Sequence, residues 1–287
     1  MPSILSDISK RLAPVSDTPA LDASVLISHI LNKPRTWVVA HPELTLTVEG
    51  QENLDAALAR LERGEPLPYV LGHWEFFGLD FDITPDVLIP RPETELLVEK
   101  ALTWLRESLV SRTSSAFRIA DVGTGSGIIA VTIGMEIPSA RILATDISPS
   151  ALQVAQDNAR KFDVADRINF VECDILPPHP KSFPTEEHFD LLCANLPYIP
   201  TGTLRSLPVY EREPRLALDG GADGLDLIRK LMSRAPEWMA PKSLILLEIE
   251  STLGVQALNL ARDMFSSAEI HLHKDLAGHD RLLEIML

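Results

Sequence analysis

From Phe117 onwards the chain alternates segments that have the pattern of buried strands with segments that have the pattern of helices. The strand-like segments are residues 118–122, 141–145, 168–171, 190–194 and 244–250, and the helical segments are residues 128–135, 151–161 and 225–239. Strands joined through helices form right-handed βαβ units, so this order predicts an α/β fold with a parallel sheet. Residues 268–273 and 282–286 flank a loop and predict a final antiparallel pair, which completes a seven-stranded sheet.

The first turn of the predicted sheet is rich in glycine and reads A-D-V-G-T-G-S-G, with Gly123, Gly125 and Gly127. A glycine turn between a strand and a helix lets the backbone approach a ligand and directs N–H groups at it. The spacing is G-x-G-x-G, which differs from the G-x-G-x-x-G of dinucleotide-binding proteins, and the Walker lysine is missing. The turn therefore disfavours both a nicotinamide oxidoreductase and a phosphate-binding P-loop.

Acidic residues follow the next two predicted strands. Asp146 ends the second strand, where a carboxylate can accept hydrogen bonds from both hydroxyls of a ribose. Asp174 lies just past the third strand, near the expected position of an adenine amino group. Either residue alone is explained equally well as a solvated acid at the end of a strand. Together with the glycine turn they favour an adenosyl ligand, because all three features lie at the ligand-binding edge of the sheet.

The tetrad Asn195-Leu196-Pro197-Tyr198 follows the apolar segment 189–194. It offers an amide oxygen, a backbone carbonyl and an aromatic face at a turn that proline stiffens. This set suits the binding of a planar NH2 group while another group is transferred to its nitrogen. The alternative for the tetrad in isolation is a rigid turn with no chemical role.

The residues before the alternating region have other patterns. Residues 3–63 have apolar residues at helical spacing, and residues 74–88 read as a β-hairpin with Gly78 at its turn. Pro92 can then open a helix. These patterns predict a small all-helical domain, a β-hairpin linker and a ligand-binding domain. The expected bounds are residues 1–72, 73–90 and 91–287.

Composition counts against a nucleic-acid substrate. Asp and Glu outnumber Lys and Arg by 41 to 26 in 287 residues, which gives a net charge of −15. The acidity is spread along the chain, and a long phosphate backbone is repelled by such a field unless a local basic patch intervenes.

The two cysteines, Cys173 and Cys193, are each expected in a core strand, and their spacing fits no zinc pattern, so we expect no metal. The amino terminus lacks the features of a signal peptide, and no apolar run approaches the roughly 18 residues of a membrane span. These observations predict a cytoplasmic protein without membrane contact.

Four motifs together resemble the release factor glutamine methyltransferases. The motifs are L-I-P-R-P-E-T-E (88–95), D-V-G-T-G-S-G (121–127), N-L-P-Y-I (195–199) and E-P-R-L-A-L-D-G-G-A-D-G-L (213–225). The resemblance implies a Rossmann-like class I methyltransferase domain. It also implies transfer of a methyl group from S-adenosylmethionine to the glutamine side chain of the Gly-Gly-Gln motif in class-1 peptide chain release factors, with S-adenosylhomocysteine as product.

The resemblance also implies roles for individual residues. Those of the cofactor site are Gly123, Thr124, Gly125, Ser126 and Gly127 for the methionine part, Asp146 for the ribose, and Asp174 and Ile175 for the adenine, with Asn195 beside the cofactor. Those of the substrate site are Arg91, Glu93, Thr94, Asn195, Leu196, Pro197 and Tyr198, with Asn195, Pro197 and Tyr198 as the catalytic set. Arg91 has a simpler alternative as a surface salt bridge. The family's tetrad usually reads Asn-Pro-Pro-Tyr, so Leu196 is a departure that keeps the carbonyl.

Two other functions are weighed against this one. A DNA or RNA amino-methyltransferase acting on adenine N6 or guanine N2 uses the same tetrad on a flipped base, but it predicts a basic groove or a nucleic-acid module. A binding scaffold without activity predicts damage to the glycine turn or the tetrad, and both are complete. The helical domain is expected to hold the release factor, because one glutamine offers little surface for specificity. Residues 199–223, with Arg205, Arg212 and Arg215, either cover the site, contact an acidic partner or form a solvated loop.

Overall fold

The computed structural model describes residues 3–111, 116–178 and 188–287. Its contacts divide the chain into two compact units, Met1–Trp74 and Glu75–Leu287. Among the described residues, no helix combines the length and the apolar character that crossing a membrane requires.

The first unit is helical, as its apolar spacing predicts. Its helices are α1 (Ile4–Leu12), α2 (Pro19–Leu31), α3 (Arg35–Ala40), α4 (Val48–Glu62) and α5 (Leu67–Leu71). Helix α2 begins with a proline, whose fixed φ suits a first helical position, and the Thr47 side chain accepts a hydrogen bond from Gly50 N to cap α4. Leucines and isoleucines from these helices, among them Leu26, Ile27 and Leu58, form one buried cluster.

A β-hairpin follows, also as predicted. Its strands are β1 (His73–Phe76) and β2 (Leu79–Asp82). Both residues of the turn, Phe77 and Gly78, have positive φ angles of 54° and 74°. This two-residue turn with positive φ at both positions matches the right-handed twist of the strands that it joins.

A seven-stranded sheet forms the centre of the second unit. Its strands are β3 (Arg118–Val122), β4 (Arg141–Asp146), β5 (Ile168–Glu172), β6 (Phe189–Ala194), β7 (Met239–Glu248), β8 (Glu269–Lys274) and β9 (Asp280–Met286), in the spatial order β5-β4-β3-β6-β7-β9-β8. Strands β3 to β7 are parallel, and β9 pairs antiparallel with both β7 and β8. All six residues of β6 are buried, as a parallel strand covered on both faces requires.

Helices precede the first strand of this sheet and connect most of the later strands along the chain. They are α6 (Thr94–Ser111), α7 (Ile128–Glu136), α8 (Pro149–Lys161), α9 (Thr201–Leu204), α10 (Asp226–Arg234) and α11 (Gly254–Met264). Strand order runs outward in opposite directions from β3 and β6, which are neighbours in the sheet. Ligands of open α/β sheets bind beyond the carboxyl ends of the strands at such a switch point. The α/β class and the antiparallel final pair are confirmed.

Three local predictions were wrong. Residues 225–239 do not form one helix, because α10 ends at Arg234, a 3-10 turn covers Ala235–Glu237, and β7 begins at Met239. Pro236 cannot donate a backbone hydrogen bond, which explains the early end of α10.

The other two errors concern the start of a helix and the position of a cysteine. Helix α6 begins at Thr94 instead of Pro92. Cys173 lies beyond the end of β5 and is half-buried, whereas Cys193 is buried in β6.

Candidate active site

A cavity of about 870 Å³ opens at the carboxyl edge of the sheet in the second unit. Small-molecule sites span roughly 300–1,000 Å³, so this volume suits a ligand of cofactor size together with a substrate side chain. Its walls come from the turns after β3, β4, β5 and β6 and from two further segments around residues 85–91 and 214–221. The cavity therefore lies at the switch point between β3 and β6.

The glycine turn after β3 forms one wall, and its glycines serve different purposes. A Cβ on Gly125 would meet no atom within 4 Å, so Gly125 leaves open space in the cavity. A Cβ on Gly127 would lie 3.1 Å from Ala155 Cβ, so this glycine allows α8 to pack closely against the turn. Gly123, Thr124, Gly125 and Ser126 line the cavity, whereas Gly127 is not among its lining residues in the described part of the chain.

Asp121 supports the glycine turn from inside β3. Its Oδ2 accepts hydrogen bonds from the Thr124 hydroxyl at 2.6 Å and from Ala130 N at 3.1 Å. Burial raises the pKa of Asp121 to about 7, and Oδ1 has no hydrogen-bond partner among the described residues. Sequence reasoning treated this residue only as part of a strand. A carboxyl two residues before the first glycine of such a turn was the signal available.

Asp146 lies across the turn, at the end of β4. Its Oδ2 accepts from Gly125 N and its Oδ1 accepts from Ser148 N, both at 2.9 Å. Burial raises the pKa of this carboxyl, while the backbone donors at Ser148 and Gly125 lower it. The backbone hydrogen bonds fix the orientation of the carboxylate beside the cavity, and each oxygen keeps acceptor capacity for a further donor.

Asp174 and Ile175 also line the cavity. Asp174 forms an ion pair with Lys230 on α10. Ile175 has a φ of 72°, which is unusual for a β-branched residue, and its carbonyl accepts a hydrogen bond of 2.6 Å from the Thr145 hydroxyl. Such backbone strain persists where the surrounding structure holds it, often at a ligand site.

The tetrad after β6 is anchored by its side chains. Asn195 Nδ2 donates a hydrogen bond of 3.0 Å to Thr94 Oγ1 in the first turn of α6, and Thr94 is fully buried. Leu196 is only 4% exposed and belongs to the core beneath the sheet edge. Asn195, Leu196 and Pro197 line the cavity.

The Tyr198 side chain contacts Glu248 instead of lining the cavity. Its hydroxyl donates a 3.4 Å hydrogen bond to Glu248 Oε1, and the ring is not among the lining residues of the cavity in the described chain. Burial, with the nearby Glu248 charge, raises the pKa of Tyr198 well above its ordinary value. The tyrosine is therefore a neutral donor at any ordinary pH.

An ion pair between Arg91 and Glu213 connects the two other segments that line the cavity, around residues 85–91 and 214–221. The Arg91 guanidinium pairs with Glu213, whose other carboxylate oxygen accepts a hydrogen bond of 3.1 Å from Ile89 N. The Glu213 side chain is only 6% exposed, so this contact differs from the surface salt bridge considered above. Thr94 also lines the cavity, whereas Glu93, in the turn before α6, is not among the lining residues that the structure describes.

Glycines after Glu213 let a loop pack over the tetrad. A Cβ on Gly220 would lie 2.6 Å from Tyr198 Cα, and a Cβ on Gly224 would lie 2.4 Å from the Tyr198 carbonyl oxygen. The absence of side chains at these two positions therefore permits the close contact.

The three arginines of residues 199–223 differ in their positions. Arg215 lines the cavity, and its guanidinium lies over the Tyr210 ring, 5.0 Å from the ring centre. Arg205 and Arg212 are exposed and do not line the cavity. The segment thus covers part of the site.

The sheet order, the glycine turn and the two acidic strand ends define a class I methyltransferase domain. A methyltransferase structure from Pyrococcus furiosus has the same fold, with a TM-score of 0.51 at 16% identity, over 84% of this chain and 98% of that one. Two family models match, the PrmC N-terminal domain over residues 3–72 and the ribosomal protein L11 methyltransferase (PrmA) over residues 99–199.

Two relatives that match nearly the whole chain identify the family to which it belongs. The release factor glutamine methyltransferase of Moorella thermoacetica is 42% identical over 279 residues, which cover 96% of this chain and 95% of that protein. The enzyme of the same name from Coxiella burnetii is 37% identical over 280 residues, again 96% and 95% of the two chains. The chain belongs to the release factor glutamine methyltransferase family.

Proposed function

We infer that this chain transfers a methyl group from S-adenosylmethionine to the side-chain amide nitrogen, N5, of the glutamine in the Gly-Gly-Gln motif of class-1 peptide chain release factors. The observation that carries this function is the orientation of Asn195 at the cavity. Its Nδ2 donates to Thr94 Oγ1, and among the described residues its Oδ1 accepts no hydrogen bond, so Oδ1 is available as an acceptor. A primary amide substrate offers donors that match this acceptor.

Two acceptors would hold the two N–H groups of the substrate amide. Asn195 Oδ1 accepts one, and the backbone carbonyl of Leu196 accepts the other. An amide nitrogen is a poor nucleophile, because its lone pair is delocalised into the carbonyl. Acceptors already in place fix the nitrogen and stabilise the positive charge that develops on its N–H groups. The unusual Leu196 is compatible with this role, since its side chain packs in the core and only its carbonyl is needed.

The residues of the cavity fit an adenosyl cofactor. Gly125 leaves open space beside the cavity, and the oriented Asp146 carboxylate can accept hydrogen bonds from ribose hydroxyls. Asp174 and Ile175 would flank the adenine, and Gly123 to Ser126 the methionine part. When bound, S-adenosylmethionine supplies an electrophilic sulfonium methyl group. Stacking of the Tyr198 ring on the substrate amide remains a prediction, and it requires the ring to reach the cavity when substrate binds.

The first unit, which matches the PrmC N-terminal domain model, is proposed to hold the body of the release factor. The remaining segments are proposed as a hairpin linker (73–90) and the catalytic domain (91–287). We propose that the reaction takes place in the cytoplasm, where release factors act.

The substrate class is tested with S-adenosylmethionine that carries a labelled methyl group. A purified class-1 release factor, the same factor with its motif glutamine replaced by alanine, and DNA and RNA are incubated in parallel. We expect label in the first protein only. Label in nucleic acid would favour the amino-methyltransferase alternative and contradict the proposal.

The role of the tetrad is tested with Asn195→Ala. Removal of a preorganised hydrogen-bonding group costs about a hundredfold to a thousandfold in kcat, while calorimetric affinity for S-adenosylhomocysteine should stay close to that of the unmodified enzyme. A kcat near that of the unmodified enzyme would contradict the proposed hydrogen bond between Asn195 and the substrate amide.

A further inference from the structure

Arg215 is a charged residue of the cavity that the proposed function leaves without a role. It lines the cavity and is exposed. The neighbouring Leu216 also lines the cavity and is 68% exposed, so this edge of the cavity is open to solvent. A substrate that inserts a side chain into the cavity enters from an open edge. The two residues therefore lie where the rest of a peptide substrate would remain in contact with the enzyme.

Arg215 differs from the other charged residues of the cavity lining in its partners. Its guanidinium lies over the Tyr210 ring, 5.0 Å from the ring centre, and forms no ion pair or side-chain hydrogen bond with the described residues. Its N–H donors are therefore available to a ligand. The other charged lining residues each form a side-chain hydrogen bond or an ion pair with a neighbouring group; they are Asp86, Arg91, Asp146, Asp174, Asp219 and Asp226.

The backbone around Arg215 is joined directly to the tetrad segment. Arg215–Ala217 forms a 3-10 turn, in which the Arg215 carbonyl accepts a hydrogen bond of 3.1 Å from Leu218 N. The chain then pairs with Ile199, the residue after the tetrad. Ile199 N donates to the Leu218 carbonyl at 3.0 Å, and Gly220 N donates to the Ile199 carbonyl at 2.8 Å. The position of Arg215 relative to the tetrad is thus fixed before a substrate binds, which lowers the ordering cost of a contact.

The chemistry of the proposed substrate indicates what these donors would bind. In that substrate the target glutamine follows glycine residues. Glycine has no side chain, so an enzyme can recognise it by hydrogen bonding only through its backbone N–H and C=O groups. A guanidinium donates hydrogen bonds and accepts none, so it matches the carbonyl oxygens.

We propose that Arg215, held against the Tyr210 ring, donates hydrogen bonds to the backbone carbonyl oxygens of the glycines that precede the target glutamine. The role rests on the proposed function, because it concerns the same peptide substrate. It adds recognition of the residues beside the glutamine to the recognition of the glutamine amide by the tetrad.

Arg215→Ala tests the role, because alanine removes the donors from an exposed position. We expect the KM for the release factor to rise about tenfold or more, as the loss of a hydrogen bond from a charged group implies. The kcat and the calorimetric affinity for S-adenosylhomocysteine should each change less than about twofold, because the contact binds substrate and transition state alike and does not involve the cofactor.

Arg212→Ala is the matched control, since Arg212 is an exposed arginine of the same segment that does not line the cavity. It should leave the KM, the kcat and the cofactor affinity unchanged. An unchanged KM in Arg215→Ala, or an equal rise in Arg212→Ala, would overturn the proposal. A loss of affinity for S-adenosylhomocysteine in Arg215→Ala would also overturn it, because the guanidinium would then serve the cofactor.

Salt distinguishes a carbonyl partner from an acidic one. Salt screens an ion pair with a carboxylate of the release factor, whereas a carbonyl group carries no net charge. The ratio of the KM of Arg215→Ala to that of the unmodified enzyme should therefore be the same at about 50 mM and about 300 mM sodium chloride. A ratio that falls toward one at the higher concentration would show an acidic partner and contradict the proposal.

A second pair of variants keeps Arg215, and it covers the case in which Arg215→Ala does not fold. Tyr210→Ala removes the ring beneath the guanidinium, and Tyr210→Phe keeps it. Alanine should raise the KM for the release factor about two- to fivefold, and phenylalanine should leave it unchanged. Equal KM values in the two variants would overturn the proposal. If the unmodified enzyme labels no release factor, the proposed function fails as well, whereas an active enzyme that tolerates Arg215→Ala refutes the role of Arg215 alone.

Discussion

Replacing Asp121 with asparagine should change how stability depends on pH. Folding raises the pKa of this buried carboxyl from 3.8 to about 7, chiefly by desolvation. The folded protein therefore binds the proton more tightly than the unfolded chain does. The stability that Asp121 contributes is fully present below pH 3.8 and is lost as the pH rises through about 7.

The size of the effect follows from the two pKa values. They differ by about 3, and each pKa unit corresponds to about 1.4 kcal/mol, so the loss is about 4 kcal/mol. Asparagine carries no proton to titrate, and its amide oxygen can still accept from Thr124 and Ala130. Relative to the unmodified protein, Asp121→Asn should therefore gain about 4 kcal/mol of unfolding free energy between about pH 4 and about pH 8. Burial also raises the pKa of Glu248 to about 7, but Glu248 is present in both proteins, so the difference between them isolates Asp121.

Denaturant unfolding followed by tryptophan fluorescence measures this difference. Trp37 and Trp74 of the first unit are replaced by phenylalanine in every protein compared, which leaves Trp104 and Trp238 to report on the second unit. Asp166→Asn is the control, because its side chain is 78% exposed, and its curve should run parallel to that of the parent. A constant difference between Asp121→Asn and the parent across this pH range would refute the reasoning.

Three further variants test separate parts of the site. Gly220→Ala should lower kcat and cost about 1–3 kcal/mol of stability, because its Cβ would lie 2.6 Å from Tyr198 Cα; normal turnover and thermal unfolding would show that the packing tolerates a methyl group. Glu213→Gln should lower the unfolding free energy by about 1–3 kcal/mol, since Glu213 holds Arg91 from a nearly buried position, and an unchanged denaturation midpoint would contradict this. Asp146→Ala should weaken calorimetric binding of S-adenosylhomocysteine by about tenfold or more; equal affinity would remove Asp146 from the ribose site.

Local sequence patterns predicted the elements of this fold well. Strand β3 has the predicted bounds, and the hairpin turn at Gly78 is where the pattern put it, because period, turn chemistry and burial agree there. The region between α10 and β7 was mispredicted for a physical reason. Apolar spacing continues through Ala235 and Trp238, so periodicity alone does not reveal that Pro236 ends the helix.

Part of the candidate site could be predicted from the sequence, and part could not. The glycine turn, Asp146 and the tetrad are visible in the sequence because each is a short motif at a strand end. The hydrogen bond from Asn195 to Thr94 joins residues 101 positions apart, and that from Tyr198 to Glu248 joins residues 50 apart. No local pattern encodes such pairs, because strand order and helix packing bring them together. For the same reason the sequence showed Glu248 only as an acid at the end of an apolar strand.

The atom that receives the methyl group tests the central claim most directly. A class-1 release factor is incubated with the enzyme and S-adenosylmethionine, digested, and sequenced by tandem mass spectrometry. The account predicts one added methyl group on the side-chain amide of the glutamine in the Gly-Gly-Gln motif, and its formation about a hundredfold or more slower with Asn195→Ala. A methyl group on another residue, or on the same glutamine with Asn195→Ala at an undiminished rate, would contradict it.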